Sequence, residues 1–159
     1  MSVKPIPDGY HTATPYLIVK GAAKALDFYK RAFGAEEMVK LETPDGSIAH
    51  AEFRVGDSPI MLGEEMAEMG FLAPQGPGAS PVSIMLYVAD ADVMFAQAIT
   101  AGATEASPVA DQFYGDRSGI LLDPFGHRWT IATHIEDVSA EEIHRRFAEM
   151  LSQKGEDNG

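Results

Sequence analysis

Hydrophobic positions along the chain follow two periods that alternate in a fixed order. Residues 14–19 (TPYLIV) form a short apolar, β-prone run and predict a strand. Over residues 22–33, Leu26, Tyr29 and Phe33 recur at helical spacing while Lys24, Lys30 and Arg31 fall elsewhere, and Gly34 then supplies a helix stop. Residues 37–42 predict a second strand, and Pro44-Asp45-Gly46 a turn. Residues 47–55 alternate, with Ala49, Ala51, Phe53 and Val55 on one face and His50, Glu52 and Arg54 on the other. Gly56-Asp57 turns the chain into a fourth strand over 59–62. Residues 64–81 carry Gly70, Pro74, Gly76, Pro77, Gly78 and Pro81, so they predict a linker with one helical turn near 64–68.

The pattern then restarts. Residues 82–88 (VSIMLYV) predict a strand, and Asp90 is a suitable N-cap for a helix over 91–101 that stops at Gly102. Strands follow over 105–109, 119–122 and 127–133, with Asp123-Pro124-Phe125-Gly126 as the turn between the last two. Ser139-Ala140-Glu141-Glu142 has the spacing of a capping box and opens a helix that runs to about residue 151. Residues 16–19 overlie 85–88 at an offset of 69, and the helix-ending Gly34 and Gly102 stand 68 apart. The fold class is therefore α+β. Two βαβββ modules, about 11–63 and 82–134, are followed by a C-terminal helix. A single module leaves its sheet half uncovered, whereas two modules together form curved sheets around a concave cavity.

Composition narrows the chemistry. The 159 residues suit one domain built of two half-size modules. The absence of cysteine excludes disulfides, thiolate metal sites and cysteine nucleophiles. Twenty-four acidic against twelve basic residues give a net charge of −12, which argues against nucleic acid as a partner. No apolar run reaches the roughly 18 residues of a membrane span, and the N-terminal residues lack a secretory pattern, so no membrane association and a cytoplasmic location are expected.

The segments TPYLIVKGAAKALDFYKRAFGAEE, HAEFRVGDSPIML, DQFYGDRSG and DPFGHRW together resemble the PhnB-like branch of the glyoxalase/bleomycin-resistance/dioxygenase (vicinal oxygen chelate) superfamily, over about residues 5–150. The resemblance implies paired βαβββ modules, a homodimer and a cavity on the concave sheet. Metal-dependent members of that superfamily place His or Glu on the first and last strands of each module. Alignment on DFY and on the Asp-Pro-x-Gly turn puts those four positions at Thr14, Met61, Ser83 and Thr130. Hydroxyls and a thioether are poor ligands for a hard divalent ion, so no metal and no other cofactor is expected.

If Thr14 and Thr130 face the cavity, alternation sends Tyr16, Ile18 and Arg128 the same way, and Ser83 brings Met85 and Tyr87 with it. With Met61 these give an aromatic, methionine-rich, mildly polar lining that suits a small organic ligand. Asp116 and Arg117, on a loop predicted over 112–117, are further ligand-binding candidates, with Asp116 orienting the Arg117 fork toward a carboxylate or phosphate. His50, Glu52 and Arg117 are the candidate catalytic residues, His50 as general base and Glu52 as its orienter. Trp129 and His127 alternate away from Thr130 and are expected under a helix. Two functions follow: a metal-free small-molecule binding protein, or a lyase or isomerase-like enzyme using a non-standard site.

Overall fold

A computed structural model, which describes residues 2–156, shows two four-stranded mixed sheets and three α-helices. The first sheet comprises β1 (Tyr16–Val19), β2 (Glu36–Glu42), β3 (Ile48–Val55) and β4 (Ser58–Glu64), with α1 (Ala22–Phe33) between β1 and β2. The second repeats this with β5 (Ser83–Tyr87), α2 (Ala91–Ala101), β6 (Thr104–Asp111), β7 (Asp116–Leu122) and β8 (Arg128–His134). Their strand orders, β1-β4-β3-β2 and β5-β8-β7-β6, are the same order in duplicate. In each sheet the first strand pairs parallel to the last, and the other pairings are antiparallel. The intervening linker holds one short 3₁₀ turn, Ala67–Met69, and α3 (Ala140–Glu156) follows β8.

The helices form where the 3.6-residue spacing presents one apolar face. In α1 that face is Ala22, Ala25, Leu26, Phe28, Tyr29, Ala32 and Phe33, all buried. Gly34 ends it in the left-handed region (φ 67°), its N–H donating to the Lys30 carbonyl. Gly21, at the N-cap of α1, has no side chain to satisfy the first N–H groups. The Glu64 carboxylate, at the end of β4, accepts from the Gly21 and Ala22 N–H groups instead, at 2.8 and 2.7 Å. In the second module the Thr133 hydroxyl, at the end of β8, accepts from the Ala91 N–H at 2.8 Å. Glu64 and Thr133 stand 69 residues apart, as do Ala22 and Ala91, so the duplication extends to how each helix start is held by the last strand. Asp90 also accepts from the Val93 N–H, as its N-cap position predicts.

The two modules share one core on the helix side of the sheets. Trp129 of β8 packs against Tyr29 and Phe33 of α1, with ring centroids 5.3 and 4.6 Å apart. Tyr29 in turn stacks on Phe53 of β3 at 5.3 Å. Asp123, in the turn before β8 and buried, accepts from the Tyr29 hydroxyl, the Trp129 indole N–H and the backbone N–H groups of Phe125 and His127. The opposite sheet faces stay open, and Tyr16, Leu41, Met85 and Tyr87 are exposed there.

Three details differ from the sequence-based expectation. β7 begins at Asp116, not at residue 119, so part of the predicted loop is strand. The C-terminal helix continues to Glu156. Only half of its capping box forms: the Ser139 hydroxyl accepts from the Glu142 N–H, but the Glu142 carboxylate turns to Arg145 and Arg146. Two guanidinium partners three and four residues ahead compete successfully for the carboxylate that the box requires.

Candidate functional site

A cavity of about 870 Å³ lies between residues 13–18 and 82–85, with the Pro-rich linker over it. Tyr16, Ile18, Ser83 and Met85 line it together with Thr14, Leu72, Ile84 and His127. Met61, Arg128 and Thr130 are half-buried on β4 and β8 and do not line it, and Tyr87 lines a different cavity. His127 differs from the expectation of a residue hidden under a helix. It is buried, yet it lines this cavity, and its Nε2 lies 3.0 Å from the Ile18 carbonyl oxygen. Trp129 does pack against a helix, α1.

On the open face of the first sheet, four polar side chains form a hydrogen-bonded chain. The register sets Glu52 opposite Met61, and Met61 opposite Tyr16. His50 Nε2 is 3.0 Å from Glu52 Oε1, and His50 Nδ1 is 2.9 Å from the Tyr16 hydroxyl. The Tyr10 hydroxyl donates to the other Glu52 oxygen. These bonds from His50 and Tyr10 hold the Glu52 carboxyl below the usual range. Burial, then the Glu52 contact, pushes the Tyr10 phenol up to about 12, and burial followed by Glu52 raises Tyr16. A Glu52 carboxylate can only accept, so His50 Nε2 carries a proton, and in the neutral ring Nδ1 then accepts from the Tyr16 hydroxyl. Tyr16 reaches across β4 because Gly63 lies beneath it: a Cβ there would stand 3.1 Å from the tyrosine hydroxyl.

The second sheet carries a different cluster. Asp116, buried at the start of β7, accepts from the Tyr87 hydroxyl at 2.8 Å and lies 2.9 Å from His134 Nδ1. His134 Nε2 is 2.7 Å from the exposed Asp137. Contacts with Asp116 and then Asp137 raise the His134 pKa above its ordinary value, and the bond to Asp116 raises Tyr87. With Tyr114, Val138, Ser139 and Ile143 these residues line a second cavity of about 510 Å³.

Arg117 does not join Asp116. It donates to Asp92 of α2 at 2.7 and 2.9 Å and to Asp111 of β6 at 3.0 Å, on the side of the sheet that faces α2. Neighbouring residues of a strand point to opposite faces, and β7 already includes both. The guanidinium is therefore engaged in ion pairs away from either cavity, which corrects its assignment beside Asp116. Tyr10 and His134 also take part in these clusters, and sequence reasoning singled out neither. Neither position carries a local signal: His134 meets Asp116 through the β7–β8 register, and Tyr10 reaches Glu52 from a segment outside any strand.

The four positions at which the resemblance places metal ligands carry no imidazole or carboxylate. Thr14 and Ser83 offer hydroxyls at the large cavity, Met61 a thioether and Thr130 a hydroxyl. Among the described residues, no group of three or more His, Asp or Glu side chains is arranged to hold a metal ion. The donor set does not fit a hard divalent ion.

Two βαβββ units with the same strand order define a fold of the vicinal oxygen chelate type. Residues 10–131 match the family model of the Glyoxalase/Bleomycin resistance protein/Dioxygenase superfamily, and the chain belongs to that superfamily. It is 39% identical over 143 residues to an uncharacterised Mycobacterium tuberculosis protein, covering 88% of this chain and 82% of that one. The crystal structure of an Arabidopsis thaliana gene product superposes with a TM-score of 0.63 at 28% identity, covering 77% of this chain and 98% of that one. A PhnB protein from Bacillus cereus shares the fold, with a TM-score of 0.57, 17% identity and coverage of 77% and 99%. Among the described residues, no helix is long and apolar enough to cross a membrane.

Proposed function

We propose that this protein binds a mid-sized, partly apolar organic molecule in the cavity between β1 and β5, without a metal. The observation that carries this reading is a cavity of about 870 Å³ walled by Tyr16, Ile18, Leu72, Ile84 and Met85, with the Thr14 and Ser83 hydroxyls at two of the four positions where the resemblance places metal ligands. That volume suits a drug-sized ligand, and the few polar groups are enough to orient one. The net charge of −12 favours a neutral or cationic ligand over an anion.

Thermal-shift measurements with two- and three-ring aromatic compounds, in neutral, cationic and anionic series, test this. A neutral or cationic compound at about 100 times its Kd is expected to raise Tm by roughly 5–8 °C. The rise should be the same with and without a chelator. No stabilisation by any member of the panel, or a response that the chelator abolishes, would sink the reading.

We also propose that the protein acts as a homodimer. The resemblance implies it, and the open sheet faces expose Tyr16, Leu41 and Met85, which a second copy would cover. Sedimentation equilibrium should give twice the chain mass of 17.1 kDa. A single-chain mass at micromolar concentration would refute it.

A further inference from the structure

We propose that His134, oriented by Asp116, is the general base of a second site, separate from the large cavity, that hydrolyses small neutral acyl compounds such as aryl esters. The two cavities share no lining residue.

The arrangement supplies a base, a carboxylate that orients it and an apolar-walled cavity beside it. Asp116 is only 3% exposed, and its two oxygens are held by Tyr87 and by His134 Nδ1. That bond fixes the ring plane and leaves Nε2 as the working nitrogen. The His134 side chain is half exposed and borders a cavity of about 510 Å³. Tyr87 and Tyr114 give this cavity aromatic walls, and Ile143 adds apolar surface. Ser139, at the start of the 17-residue helix α3, also lines it, so the positive end of the helix dipole stands beside the base.

In the step proposed, Nε2 takes a proton from water as the water oxygen bonds to the acyl carbon. The tetrahedral alkoxide collapses, the bond from acyl carbon to aryl oxygen breaks, and the aryl oxide departs. The imidazolium then releases its proton, the aryl oxide takes one up from solvent, and the carboxylic acid formed ionises. Carboxylate and phenol are the products, and no co-reactant other than water is consumed. The acidic groups around the base disfavour anionic substrates, which is why a neutral acyl compound is named.

Nε2 is held in check by Asp137. Two carboxylates can both bond the ring only while it carries two protons. The groups facing His134 are Asp116 from β7, Tyr87 from β5, Tyr114 from the preceding loop, and Asp137 from the segment before α3. Glu136 in that segment is engaged by Arg146. The base form therefore appears as pH rises through a His134 pKa that lies above the ordinary imidazole value.

The test is hydrolysis of 4-nitrophenyl acetate by the full chain as a function of pH. A protein-dependent rate is expected that rises along a single ionisation with a midpoint above about 6.5. His134→Gln should lower the plateau about 100-fold. Asp137→Asn, at an exposed position, should move the midpoint to lower pH and raise the rate near neutrality two- to threefold. Asp116→Asn should lower the plateau about tenfold and also move the midpoint down. A purely structural role for Asp137 would leave the midpoint in place. Absence of a protein-dependent rate, a rate that survives His134→Gln, or a midpoint indifferent to Asp137→Asn would each overturn the proposal.

Discussion

Replacing Asp123 by Ala is expected to cost about 3–5 kcal/mol of stability, lowering Tm by roughly 10 °C in a chain of this size. Asp123 is buried and accepts four hydrogen bonds at 2.6–2.9 Å, from Tyr29, Trp129, Phe125 and His127. Truncation leaves those donors without an acceptor, including the hydroxyl of Tyr29 and the indole N–H of Trp129, both fully enclosed. The donors also come from both modules: Tyr29 lies on α1 and Trp129 on β8, so one carboxylate ties the two halves together. Its bond to Tyr29 is part of what holds that phenol well above its ordinary pKa, after burial itself.

Tyr29→Phe should be much milder, at about 1 kcal/mol, because three bonds to the carboxylate remain. Urea unfolding of both variants and of the double mutant measures the coupling. Equal losses from Asp123→Ala and Tyr29→Phe would contradict this account, as would additive losses in the double mutant.

The second large effect is expected at Gly115. Its φ is +100°, a region that side chains disfavour, and an added Cβ would fall against the Glu136 carbonyl oxygen, with Val138 Cγ2 at 3.0 Å. The neighbour is backbone and cannot turn away. The Gly115 carbonyl also accepts from the Ile135 and Glu136 N–H groups at 2.9 and 3.0 Å, joining the loop before β7 to the segment that leads into α3. Gly115→Ala should therefore cost about 2–4 kcal/mol.

The loss should be local before it is global. α3 buries no residue and is anchored through Arg146, which bonds the Phe113 carbonyl and Glu136, and through Phe147 stacked on Phe113 at 5.8 Å. Hydrogen exchange in Gly115→Ala should show protection lost over 140–156 while β3, β4 and β8 keep theirs. Uniform loss across both sheets, or no change in α3, would contradict the proposed linkage.

Both predictions concern residues whose importance the linear pattern conceals. Asp123 reads as the first residue of an ordinary Asp-Pro-x-Gly turn, and Gly115 as one more loop glycine. Arg117 shows the converse. Beside Asp116 in the chain it looked like part of a binding loop, but the strand begins early enough to send the two side chains to opposite faces. Asp116 meets His134 because the β7–β8 register sets those two residues side by side.

Element order, both helix stops, the duplication and the unsuitable donors at the four aligned positions were all decided by the chain's own order of residues. The reason is that periodicity, turn chemistry and capping act over a few neighbouring positions, and an offset of 69 can be read by laying one half over the other. Tertiary structure alone decided that Tyr10 reaches Glu52, that Tyr16 reaches His50, that His134 rests on Asp116, and that Asp123 receives Tyr29 from 94 residues away. Those contacts depend on strand register and on how the two modules share a core. Both are settled by the packing of the whole chain, because no local stretch contains both partners.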